Sequence, residues 1–182
     1  MRAWAPLDVV ANIDEFRPGT AAKLQREIPW GCWETLQDIG RLEWISILEG
    51  REVPAAVWRT LGPEDAYQYF RWLLPREVDR PLLRGLLRGS IKLFGLSPAS
   101  FLRTARGAWG LAFQEVGEPA MDFPSMREGV LQLQGVPAIA LQEPSFLQSV
   151  AGSFAGIYDL CAVPGTVELQ IIGDTASFIF AW

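Results

Sequence analysis

Apolar residues recur at every third or fourth position up to about Phe113, and beyond it they begin to alternate. That switch from a helical to an extended period constrains the fold more than any other feature. Trp33, Leu36, Ile39, Leu42, Ile45 and Leu48 step by threes. Ala66, Tyr69, Phe70 and Leu73 mark a stripe in a segment that starts at Pro63 with Glu64 and Asp65 in its first turn. Pro75 is expected to end that helix. The stretch "SPASFLRTARGAWGLAF" reads as one further helix opened by Ser97-Pro98. After Phe113, "FQEVGEP" and "EGVLQLQGVP" alternate between Gly and Pro and read as strands. "EPSFLQSVAGSFAGIYDLCA" is a helix with Phe146, Val150, Phe154, Ile157 and Leu160 inward. "GTVELQIIG" and "TASFIFAW" form a closing hairpin that turns at Gly173-Asp174. The expectation is a single α+β domain: an irregular lead over 1–18, a mainly helical part over 19–112, and strand-strand-helix-strand-strand over 113–182. Helices would pack on a four-stranded antiparallel sheet.

Composition narrows the chemistry. None of the 182 residues is histidine. Histidine titrates nearest neutral pH and is the commonest imidazole ligand, so Ser-His-Asp and Cys-His catalysis, His-ligated zinc and proximal-histidine haem are all excluded. The expectation is therefore a non-enzymatic protein without a cofactor or metal. Cys32 and Cys161 stand far apart with no CxxC, as free thiols in a cytoplasmic protein would. No apolar run is long enough to span a bilayer. A net charge of −5 argues against nucleic acid as a partner.

The second half of the chain also carries a resemblance. A helix "SFLRTARGAWG" leads to "FQEVGEP"; a second strand and the small-residue helix "FLQSVAGSFAGIYDLCA" follow, and a hairpin ends in the aromatic "SFIFAW". This order resembles the superfamily that unites haem-dependent nitric-oxide-binding domains, four-vinyl-reductase domains and TRAPP trafficking subunits. It looks most like an uncharacterised myxobacterial branch of small standalone domains. The resemblance implies a TRAPP-like fold, dimerisation through helices and a hydrophobic pocket between helices and sheet. It does not carry over the family's metal chemistry, because the proximal histidine and the clustered C-terminal cysteines are missing.

Three groups of residues stand out as candidate sites. In the helix expected from Pro81 to Phe94, Arg84, Arg88 and Lys92 form a cationic strip beside the leucine face. Such a strip suits a protein partner with an acidic surface. On the opposite flank Gly85 and Gly89 lie next to Leu82 and Leu86, the expected seam of a homodimer. Trp30 and Trp33 flank Gly31 and are expected at an exposed or pocket-lining position, because each indole N–H needs a partner. The leading expectation is an adaptor or regulator that docks another protein; the alternative is a haem-free, zinc-free sensor holding a small apolar ligand between sheet and helices.

Overall fold

The computed structural model describes residues 1–77 and 96–182. The expected helix carrying Arg84, Arg88, Lys92, Leu82, Gly85, Leu86 and Gly89 lies outside the described residues.

The helical part contains α1 (Trp4–Phe16), α2 (Ala21–Glu27), α3 (Trp30–Asp38), α4 (Ile47–Gly50), α5 (Glu52–Leu61), α6 (Pro63–Glu77), α7 (Pro98–Arg103) and α8 (Ala105–Ala112). Strands β1 (Glu118–Ser125) and β2 (Glu128–Gln134) follow. The short α9 (Ala138–Leu141) and the long α10 (Pro144–Cys161) precede β3 (Thr166–Ile172) and β4 (Thr175–Ala181).

The lead is not irregular over its length. Residues Trp4–Phe16 form α1, which buries Val9 and Ile13 one turn apart and packs Phe16 against Tyr69 at 5.3 Å between ring centroids. Pro6 disguises the helix in the sequence. It sits in the first turn, where its missing N–H would have had no intrahelical acceptor. At the next helix Thr20 supplies no side-chain cap. Asp14 does that work: its Oδ1 accepts from the N–H groups of Thr20 and Ala21, each at 2.7 Å.

Three boundaries differ from the sequence reading. Pro75 lies inside α6 rather than ending it. The single helix expected after Ser97 divides at Thr104 into α7 and α8, where the Thr104 hydroxyl donates to Phe101 O at 2.7 Å. The first strand begins at Glu118, not at Phe113. Glu115 and Gly117 have φ of 57° and 86°, and such left-handed backbone interrupts extended chain. Most of the stretch "EVGEPAMDFPSMREG" is therefore β1 and its turn into β2.

The sheet has the order β1-β2-β4-β3 with every pair antiparallel, so an α+β fold with a helical layer on a four-stranded antiparallel sheet is what the sequence specifies. Leu131 faces Phe178 and Leu133 faces Ala176 across β2 and β4; all four are buried. Their neighbours Val130, Gln132, Ser177 and Ile179 point to the other face, as the two-residue period requires. α10 covers the inner face. Phe154 meets the rings of Phe178 and Phe180 edge-on, at 5.2 and 5.4 Å. On its far side α10 turns Gly152 and Gly156 to α6. The layers are thus sheet, α10, then α6 with α1 and α5 around it.

Candidate ligand cavity

α10 does not close completely against the helices above it. A cavity of about 180 Å³ remains. Its walls come mainly from helices, among them Trp4, Ala5 and Val9 of α1, Phe70, Leu73 and Leu74 of α6, Ala105, Ala108, Trp109 and Ala112 of α8, and Phe146, Ser149, Val150 and Ser153 of α10, with Met1 and Pro54 beside them. The expected place for such a pocket was between sheet and helices. Among the described residues no strand contributes to the wall, because α10 and Phe154 stand between the cavity and the sheet. The size resembles that of an engineered cavity of about 150 Å³ that stays dry and takes up benzene.

Small side chains make the space. Ala105, Ala108 and Ala112 repeat along one face of α8, and Ser149 and Ser153 lie one turn apart on α10. The Ser149 hydroxyl donates to Phe146 O at 2.6 Å and so offers no free proton. Trp109 is 5% exposed; its ring packs on Phe113 with centroids 4.2 Å apart. The indole nitrogens of Trp4 and Trp109 are both buried, with no hydrogen-bond partner among the described residues. α1 and α8 are neighbours at this point, since Arg2 N–H donates to Ala112 O at 2.8 Å. Two orphan donors in one apolar wall depart from the rule that a buried polar group finds a partner.

The sequence singled out neither tryptophan for this role. A signal was present in the alanine spacing around Trp109 and in two serines on an otherwise apolar helix. Neither pattern tells which elements it will face.

The pair that was singled out is placed elsewhere. Trp30 is 71% exposed, while Trp33 is partly buried and packs on the core. Together with Ala22, Gln25, Ile28 and Pro29 they line a shallow surface groove.

The thiols are poised for inertness. Burial pushes the Cys32 thiol up to about 11, helped by the negative charges of Glu49 and Glu52, and Cys32 Sγ donates to Glu49 O at 3.3 Å. Burial likewise pushes Cys161 up to about 11. Against the reference of 9.0, alkylation by iodoacetamide at pH 8 should run about 100-fold slower than for a free cysteine, because the thiolate is the reacting form. The folded values lie above the unfolded one. The neutral thiols therefore contribute stability below pH 9 that is lost as pH rises toward 11. Alkylation of the folded protein at the rate of a free thiol would contradict both statements.

Among the described residues no group of three or more acidic, histidine or cysteine side chains could hold a metal ion. No helix there is long and apolar enough to cross a membrane.

No family model and no curated protein matches the sequence. Solved structures do match the fold over its whole length. The Fe(II) unliganded H-NOX protein from K. algicida superposes with a TM-score of 0.68 at 9% identity, covering 100% of this chain and 96% of that one. A structure concerned with the mechanism of H-NOX activation gives 0.65 at 10% identity, with coverage of 100% and 96%. An oxygen-binding H-NOX domain related to soluble guanylate cyclases, in its oxygen complex, gives 0.60 at 12% identity, with coverage of 99% and 93%. Of the superfamily expected from the sequence, these structures represent the haem-nitric-oxide-binding branch, and this chain has their fold.

Proposed function

We propose that this chain is a non-enzymatic sensor domain that uses the H-NOX fold without haem and takes a small apolar ligand into the cavity among α1, α6, α8 and α10. The observation that carries the reading is the cavity itself, an apolar space in a fold whose solved representatives include an oxygen-binding domain.

The residues do not fit a haem. A protein ordinarily gives haem iron an axial imidazole, thiolate, phenolate or thioether. The chain has no histidine. Neither cysteine and none of Tyr67, Tyr69 and Tyr158 lines the cavity, and residues 78–95 contain no histidine, cysteine, tyrosine or methionine. Met1 supplies the one sulfur of the wall, with no second donor among the described residues. Among the described residues no lysine or arginine is in the lining to pair with the porphyrin carboxylates, and burying an unpaired carboxylate is costly.

The docking reading is second. The strip of Arg84, Arg88 and Lys92 that motivates it, with an acidic protein as partner, lies outside the described residues, as does the homodimer seam. Its support is the exposed indole of Trp30 beside Trp33.

The test is a pair of titrations of the purified chain. Haem should give the spectrum of unbound haem with no stoichiometric Soret band. Toluene, followed by calorimetry, should occupy one site. Ala108→Phe, which fills the cavity, should weaken toluene at least about tenfold, because the displaced space is the binding energy. Stoichiometric haem uptake, or toluene binding indifferent to Ala108→Phe, would overturn the reading.

A further inference from the structure

We infer that the ligand of this cavity is an uncharged molecule of single-ring size that carries a hydrogen-bond acceptor, held by the indole N–H of Trp109 with that of Trp4 as a second donor. The inference rests on the sensor reading above and specifies its chemistry.

Three observations set the class. The first is size: about 180 Å³ admits one ring with a short substituent. The second is charge. Among the described residues the lining contains no lysine, arginine, aspartate or glutamate, so a charged ligand would meet no counter-charge from them and would lose its hydration. The third is polarity. Trp4 and Trp109 leave two buried donors unpaired, and an indole N–H can only donate.

Water is a poor occupant for these donors. A buried water needs two to four polar partners, which the two indoles and the wall serines Ser149 and Ser153 would have to supply, and Ser149 already gives its proton to its own helix. A ligand carbonyl needs no more than the donors present, and its hydrocarbon part gains the apolar wall of Phe70, Leu73, Phe146 and Val150. A site built to donate rejects an analogue that lacks the acceptor, because its own polar groups then stay unpaired. Hydrocarbons of the same shape should therefore bind, but less well.

Acetophenone and α-methylstyrene make the comparison, since they differ by an oxygen in place of a methylene at nearly constant shape. Benzoate adds a charge. Calorimetry on the wild-type chain should show acetophenone bound about tenfold more tightly than α-methylstyrene, and benzoate more weakly than either. Trp109→Phe should abolish most of that preference, and Trp4→Phe should reduce it further. Equal affinity of the wild type for acetophenone and α-methylstyrene would overturn the inference while leaving the sensor reading intact. Tighter binding of benzoate than of acetophenone would also overturn it. Failure of toluene and of all three probes would instead overturn the sensor reading.

Discussion

Gly156→Val should lower the melting temperature by about 6–12 °C, the equivalent of about 3 kcal/mol in a chain of this size. A glycine inside a helix ordinarily costs about 1 kcal/mol against alanine, so replacement should help wherever there is room. At Gly156 there is none. A Cβ there would fall 2.5 Å from Arg71 O and 3.0 Å from the Leu74 Cβ. Arg71 O is also the carbonyl that a residue at 75 would normally bond, and Pro75 has no N–H to give it. The carbonyl stays turned toward α10, with the Pro75 ring at 3.2 Å from the same position. One turn earlier Gly152 repeats the arrangement, its Cβ position lying 2.8 Å from Tyr67 O. The contact is held in register by Arg71, which donates from Nε and an Nη to the two oxygens of Asp159 at 2.8 and 2.6 Å. Gly110 in α8 is the control. No atom among the described residues lies within 4 Å of its Cβ position, so Gly110→Ala should raise the melting temperature slightly. Thermal unfolding followed by circular dichroism decides; a Gly156→Val protein that melts at or above the wild-type temperature would refute this packing of α6 on α10.

Phe178→Ala is expected to cost about 3–5 kcal/mol, whereas Ile172→Ala in the same hairpin should change stability by less than about 0.5 kcal/mol. Phe178 is fully buried and Ile172 is 77% exposed. Phe178 sits where three contacts converge: Leu131 across β2, Leu169 across β3 and the Phe154 ring from α10. Removing it leaves a void that α10 cannot fill, because the glycines on the opposite side of that helix are already against α6. Ile172 stands at the end of β3 opposite Thr175, beyond the cover of α10. Urea titration of both variants measures the difference; similar midpoints would show that the sheet core lies elsewhere.

Local pattern carried much of this fold. The period of two in "VLQLQ" and "ASFIF" placed Leu131, Leu133, Ala176, Phe178 and Phe180 on one face, since alternation is a property of extended backbone alone. The spacing of Phe146, Val150 and Ile157 did the same for α10. Where local signals competed, the reading failed. Pro6 hid α1 and Pro75 seemed to close α6, although proline is excluded by what surrounds a position rather than by its mere presence. The absence of histidine is wholly a matter of sequence: no folding can supply an imidazole, so a histidine-ligated haem is excluded before any coordinate is known.

The cavity is the opposite case. Trp4 and Trp109 lie on α1 and α8, with six of the described helices between them in the chain, and they share a wall because α10 and α6 press together through Gly152 and Gly156. Small residues four apart occur at Gly85 and Gly89 as well as at Gly152 and Gly156, and spacing cannot say which pair meets a neighbour. That depends on which backbone arrives opposite, on how much side-chain volume fills the space left over, and on whether a buried N–H finds an acceptor there. These are distances between segments remote in sequence, and only tertiary packing sets them.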